Sequence, residues 1–228
     1  TELEGFILAI YRRAVIFANG DLSYQTFTKG IVADNDLIIA ADGGAEYCRV
    51  LDFVPDYIIG DFDSIEQEIL QYFRSVGSKV IQHPAEKDYT DLELAVMHSQ
   101  SCGVDEIFVF GGLGYRWDQS IANILLLASS NFLNLDVRLV QADQMLQVLR
   151  PGKKYKITGS LGDIVSLIPL GGDVNGIKTK GLHYPLNNED LRLGSTRGVS
   201  NILDQDPASV ETREGILLCI SLTSGLLD

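Results

Sequence analysis

LIIAADGGAEYCRVLDFVPDYIIGDFDS, residues 37–64, is the stretch whose reading decides the fold. Two short apolar runs, Leu37 to Ala41 and Tyr57 to Ile59, each end in a polar turn, Asp42-Gly43-Gly44 and Gly60-Asp61-Phe62-Asp63. Short apolar runs closed by turn signals read as buried strands. Working outward, Ala14 to Ala18, Lys79 to Gln82, Glu106 to Phe110 and Val137 to Val140 have the same character. Between them, Ile65 to Val76, Asp91 to Cys102 and Asp118 to Ser129 have the length and spacing of amphipathic helices. Strands alternating with helices imply crossover units, hence a mostly parallel sheet with helices on both faces.

The pattern changes near Asp143. Tyr155 to Thr158, Asp163 to Pro169, Gly176 to Thr179 and Ile216 to Leu222 read as short strands. They are broken by turn signals at Pro151-Gly152, Gly171-Gly172 and Asn187-Asn188, which predicts an antiparallel β-sandwich. The expected organisation is an α/β domain over residues 1–143 followed by a sandwich domain over residues 144–228. With no repeat, low-complexity tract or long linker, the two parts are expected to pack directly together.

Charge follows the same division. The 228 residues hold 18 Lys and Arg against 31 Asp and Glu, a formal net charge of −13. Residues 1–143 carry 22 acids and 9 bases, and residues 144–228 carry 9 of each, so the excess belongs to the first half. Such a balance argues against a nucleic-acid groove, which needs a dense Lys/Arg footprint. The longest apolar stretches fall well short of a membrane span, and Thr1 to Ile10 lacks the pattern of a signal peptide. Cys48, Cys102 and Cys219 form no C-x-x-C pair and are odd in number, which makes a reducing cytoplasm the expected compartment.

In an open α/β sheet, ligands bind beyond the carboxyl ends of the strands. Four runs deliver polar turns there: residues 41–45, 60–64, 87–91 and 111–119. In extended backbone Asp61 and Asp63 point to one side, and paired carboxylates suit a hard cation such as Mg²⁺. Asp88 and Asp91 add negative charge that needs a cation or proton to compensate it. The same turn would also serve if Asp63-Ser64 capped a helix from Ile65. Thr90 and Glu93 match a capping box, which leaves Asp91 free to act as a third carboxylate. Gly43 and Gly44, like Gly111, Gly112 and Gly114, let backbone approach a phosphate, or else form plain tight turns. Position 117 is Trp, which breaks G-x-G-x-x-G, and no P-loop occurs, so standard dinucleotide enzymes and P-loop NTPases are disfavoured. Lys87 and Arg116 are phosphate-binding candidates, with salt bridges to neighbouring acids as the alternative, above all for Lys87. His83, His98 and His183 have no ligand spacing and read as structural or surface residues.

Taken in order, A-D-G-G-A (41–45), P-D-Y-I-I-G-D-F-D-S (55–64), K-D-Y-T-D-L-E-L-A (87–95) and G-G-x-G-x-R-x-D-Q-x-x-x-N (111–123) resemble thiamine pyrophosphokinases. S-L-I-P-L (166–170), G-I-K-T-K-G-L-H-Y-P-L (176–186) and G-V-S-N (198–201) continue the likeness. The resemblance implies an α/β domain and a β-sandwich in a homodimer, with the active site where subunits meet. It implies transfer of the pyrophosphoryl group of ATP to thiamine, giving thiamine diphosphate and AMP with Mg²⁺. Asp61, Asp63 and Asp91 would hold the metal, with Asp88 in the same acidic cluster. Asp42, Gly43, Gly44, Lys87, Arg116, Asp118 and Gln119 would serve ATP, and Tyr184, Ser200 and Asn201 thiamine. Gln119 stands where many bacterial members carry His, so a His-based proton role is not implied. Thr1 to Arg13 precedes the family's usual first strand, and its role stays open.

Two other readings compete. Asp61 after an apolar strand would suit a phosphatase with a covalent aspartyl intermediate. The second rival is a thiamine or nucleotide sensor without turnover.

Overall fold

The computed structural model describes residues 11–22 and 31–222; Thr1 to Ile10 lie outside them. Six parallel strands come first: β1 (Arg13–Phe17), β2 (Leu37–Ala41), β3 (Tyr57–Gly60), β4 (Lys79–Gln82), β5 (Glu106–Phe110) and β6 (Asp136–Gln141). Their order across the sheet is β4-β3-β2-β1-β5-β6. Between them lie α1 (Gly44–Val50), α2 (Gln67–Ser75), α3 (Asp91–Ser101) and α4 (Trp117–Leu126). β1 is flanked by β2 and β5, so the chain first builds outward on one side and then returns to the other.

Side-chain alternation divides the core. Ala14, Ile16, Leu37 and Ile39 face a cluster completed by Leu92, Ala95 and Val96 of α3. Val15, Phe17, Ala40 and Ile58 face the opposite cluster, with Cys48 of α1 and Leu70 and Phe73 of α2. These strands are apolar on both faces because helices cover both, as expected of parallel sheets. Each fully buried Phe or Ile contributes roughly 1.5–3 kcal/mol.

The sheet continues past Asp143. β7 (Gln144–Leu149) runs antiparallel to β6, and β13 (Glu214–Leu222) then pairs with β7 on one side and β9 (Ile164–Lys180) on the other. β9 is a single 17-residue strand that carries through Gly171-Gly172, where two strands were expected. It joins a second sheet with β8 (Lys154–Ile157), β12 (Ala208–Glu211) and β10 (Asn187–Leu191), while β11 (Asn201–Ile202) pairs with its first residues. The two sheets enclose Leu149, Val165, Leu167, Val174, Ile177 and Leu217. Arg150 ties the halves together by donating to the carbonyls of Leu127 and Ser129 at 3.0 and 3.1 Å, just beyond α4. Among the described residues, no helix is long and apolar enough to cross a membrane.

His98 is structural, in keeping with its isolation in the sequence. Its ring packs edge-on against Tyr57 at 4.3 Å, and burial, with Lys79 nearby, holds the imidazole below its ordinary value. The unfolded chain therefore binds this proton better than the native one. Its contribution to stability is full above the unfolded value near 6.5 and is lost as pH falls through the lower folded value. His98→Gln is expected to flatten the acid limb of a melting-temperature profile between about pH 7 and 5.

Candidate active site

The parallel register creates the crevice. Ala41 pairs with Ile59, so the residues that follow, Asp42 and the Gly60-Asp61 turn, emerge side by side. Asp42 donates its N–H to Ile59 O at 2.8 Å, and its Oδ1 accepts from Phe62 N at 3.1 Å. Both Asp42 and Phe62 are left-handed, with φ of 47° and 65°. Such conformations cost about 1–3 kcal/mol each and persist where surrounding contacts enforce them. Here burial of both residues and the bond between them supply that enforcement. A β-carbon at Gly60 would lie 3.0 Å from Asp42 Cβ, so glycine permits the close approach.

Asp91 reaches the same point from the first turn of α3. Thr90 Oγ1 caps that helix by accepting from Glu93 N at 3.2 Å, as the capping-box reading expects. Asp42, Asp61 and Asp91 each bring a carboxylate oxygen within 4.8 Å of the others. Lys87 Nζ sits between two of them, 2.8 Å from Asp61 Oδ2 and 3.2 Å from Asp91 Oδ1. The salt-bridge reading of Lys87 therefore describes its geometry. Three carboxylates against one ammonium leave a formal excess of two negative charges.

The members differ in their electrostatics. The hydrogen bond from Lys87 holds Asp61 below the usual carboxylate range. Burial raises Asp91 above it, outweighing Lys87. For Lys87 itself burial acts downward, but the two carboxylates prevail and its proton is held more tightly. Asp91 Oδ1 is buried and has no directed hydrogen bond despite the nearby ammonium.

Other residues named from sequence stand at the rim or apart. Asp63 is exposed beside Asp61, outside the close group of three; its N–H donates to Asp61 Oδ1 at 3.3 Å and its Oδ1 accepts from Ser64 Oγ at 2.7 Å. Neither Asp63 nor Ser64 caps α2, which begins at Gln67 behind Glu66. Asp88 is exposed in the turn before α3. Gly43 and Gly44 are buried, and a β-carbon at Gly44 would come within 1.9 Å of Phe17 O, so close contact with β1 already demands glycine there. Arg116 and Asp118 form an exposed two-point pair at 2.9 and 2.6 Å, which holds the Asp118 carboxyl down at about 2. Gln119 is exposed on α4.

Ser120 and Asn123 received no role from sequence. Ser120 Oγ donates to Gly114 O and accepts from Gly114 N, and Asn123 Nδ2 donates to Gly112 O at 2.7 Å. They clamp the glycine loop onto α4.

In the sandwich, Asn201 is buried and its side chain is fully engaged. Oδ1 accepts from Tyr184 N and Ile202 N, both at 2.9 Å, and Nδ2 donates to Tyr184 O at 2.8 Å. The Tyr184 ring is 62% exposed and stands edge-on to His183. Ser200 is exposed with φ of 60°, its N–H bound to Ser166 Oγ at 3.1 Å.

Fold and site define an α/β protein with a carboxylate crevice at the edge of its parallel strands and a β-sandwich joined to the last of them. Residues 28–139 match the family described as thiamin pyrophosphokinase, catalytic domain, and residues 153–217 the thiamin pyrophosphokinase, vitamin B1 binding domain. Thiamine pyrophosphokinase of Bacillus subtilis is 30% identical over 208 residues, 91% of this chain and 97% of the relative. Thiamine pyrophosphokinase 1 of Arabidopsis thaliana is 28% identical over 92% of this chain and 86% of its own length. The crystal structure of the Bacillus subtilis protein matches with a TM-score of 0.84 and 30% identity, covering 93% of this chain and 99% of that one. The chain belongs to the thiamin pyrophosphokinase family.

Proposed function

We propose that this protein transfers the pyrophosphoryl group of ATP to the hydroxyl of thiamine, giving thiamine diphosphate and AMP. The convergence of Asp42, Asp61 and Asp91 in a chain that matches both family domains carries this reading. In the reaction the hydroxyl oxygen loses its proton to a base and bonds to the β-phosphorus of ATP, as the bond from that phosphorus to the α,β-bridging oxygen breaks and AMP leaves with the oxygen. Such transfers depend chiefly on positioning and charge neutralisation.

The donor set fits Mg²⁺. Its oxygens are hard ligands, and its excess of two negative charges equals one divalent cation. Asp61 and Asp91 would hold the ion, with Asp42 alongside and Asp63 on the solvent side. When bound, Mg²⁺ supplies positive charge against the triphosphate. Asp88 extends the acidic rim, and Lys87 keeps a fixed point charge at the floor. Gly43 and Gly44 shape the backbone behind Asp42, and Arg116, Asp118 and Gln119 border the nucleotide side. Arg116→Ala is expected to raise KM for ATP by about tenfold, the worth of one charged contact. Because Arg116 is exposed, its melting temperature should stay close to that of the parent, as scanning calorimetry would check.

Thiamine belongs to the sandwich in this reading, with Tyr184 stacking on the substrate and Ser200 and Asn201 beneath it. Residues 1–143 then form the ATP half and residues 144–228 the thiamine half; the boundary falls between the two matched regions. Strand order supports a homodimer. Asp61 leaves β3 and Asn201 opens β11, eight strand spacings away, so roughly 35–40 Å of sheet separates them in one chain. A second copy would bring its sandwich to the crevice. Trp117, Ile121 and Leu125, 74%, 53% and 51% exposed, form an apolar stripe along α4 suited to such a contact. Three free cysteines with no C-x-x-C spacing suit a cytoplasmic enzyme, and the net charge of −13 suits one without a nucleic-acid partner; no membrane partner is part of this reading.

Incubation with ATP, Mg²⁺ and thiamine tests the proposal. AMP and thiamine diphosphate appearing together, and only with thiamine, support it. Inorganic phosphate released without thiamine would instead indicate the phosphatase, and binding without product the sensor. Neither rival is favoured by the family match.

A further inference from the structure

A cavity away from the carboxylate crevice has the opposite charge. Its volume is about 440 Å³, and Lys153, Lys154, Lys178 and Arg213 line it with Glu211 as the acid among them. None of the residues assigned above to ATP, thiamine or the cation borders it. These four cations are drawn from only nine bases in the second half of the chain.

Their neutralisation is weak. Lys178 is 3.9 Å from Glu211, and Arg213 is 3.8 Å from Glu214, both loose exposed pairs. Lys153 lies over the Tyr155 ring at 4.9 Å. Like charges gathered around one hollow repel each other unless an anion compensates them. Thr212, which also lines the cavity, is 5% exposed and keeps a buried hydroxyl with no hydrogen-bond partner. Gly176 completes the arrangement: its φ is 66°, and a β-carbon there would lie 2.8 Å from Arg213 Cβ.

We propose that this basic cavity, formed by the start of β8, the far part of β9 and the β12–β13 turn, binds a small, multiply charged phosphate compound. Guanidinium and ammonium donors suit phosphate oxygens. A small ligand is favoured over a macromolecular polyanion because the chain as a whole carries −13.

Metal-free conditions separate this site from the crevice, whose excess negative charge repels an anion when no divalent cation is present. Isothermal titration of the full chain with inorganic pyrophosphate in EDTA is expected to show one binding event that weakens as salt is raised. Lys178→Gln/Arg213→Gln should weaken it at least tenfold, and Lys153→Gln/Lys154→Gln similarly. Asp61→Asn, which lies in the crevice, should not weaken it. A parallel titration with ADP identifies the source: equal affinity means phosphate recognition alone, and tighter binding means that a nucleoside adds contacts. No binding in EDTA, or binding unchanged in both double variants, would overturn the proposal. These lysines and Arg213 are exposed, so circular dichroism should show both double variants folded.

Discussion

Asp91→Asn is expected to lower turnover by roughly three orders of magnitude, equivalent to about 4 kcal/mol of lost charge stabilisation. The melting temperature should nevertheless stay level or rise. Burial raises the Asp91 carboxyl above its unfolded value, so the ionised form opposes folding at neutral pH. Asn keeps the shape and removes that unfavourable charge, while Lys87 retains Asp61 at 2.8 Å. Asp61→Asn should behave differently. Its carboxyl is lowered by Lys87, so its ionised form contributes stability above the unfolded value that is lost as pH falls through the folded one. That substitution is expected to reduce both activity and thermal stability. Steady-state kinetics and calorimetry on the two variants check the contrast; a marked fall in melting temperature for Asp91→Asn would contradict it.

Asn201→Ala is expected to raise KM for thiamine by at least tenfold, about 1.4 kcal/mol or more, while KM for ATP changes little. The side chain makes three hydrogen bonds that hold the backbone of Tyr184 and Ile202. Its removal would leave these groups unsatisfied at about 1–3 kcal/mol each. The melting temperature should fall as well, by roughly 2–4 °C per kcal/mol for a chain of this size. Asn201→Asp keeps the acceptor to Tyr184 N but sets a buried carboxylate oxygen against Tyr184 O, so it should not recover the thiamine KM. Equal rises in both KM values would mean that the loss is general unfolding rather than a misplaced Tyr184.

The parallel half was legible because its inner strands are buried on both faces, while the edge strand β4 keeps a half-buried apolar pair, Val80 and Ile81. Leu37–Ala41, Lys79–Gln82 and Glu106–Phe110 coincide with their apolar runs, and Thr90 marks the start of α3 through its cap. α1 was not separately identified, because Gly43 and Gly44 read as a turn while their real constraint is contact with Asn19 and Phe17 of the neighbouring strand and loop. β7 has an uneven burial pattern with no clean alternation. β9 was divided at Gly171-Gly172, a turn signal in sequence that serves within one long strand as it passes between two sheets.

The site shows the same limit. The acidic turns and their shared edge could be read from sequence, but the grouping of Asp42 with Asp61 and Asp91 depends on the β2–β3 register and on left-handed backbone at Asp42. Asn201 stands out in the sequence only through the family resemblance, whereas its attachment to Tyr184, 17 positions away, exists only in the folded sandwich.

The most direct measurement is complementation between two defective subunits, since eight strand spacings along the sheet separate Asp61 from Asn201 and the proposed homodimer would complete each catalytic centre from two chains. Asp61→Asn and Asn201→Ala chains would be co-expressed and assayed for AMP and thiamine diphosphate at low thiamine. Random pairing makes half the dimers mixed, each with one centre built from two intact halves, so activity should return to about a quarter of the parent level. Activity no greater than that of the two variants assayed separately would contradict a centre shared between subunits.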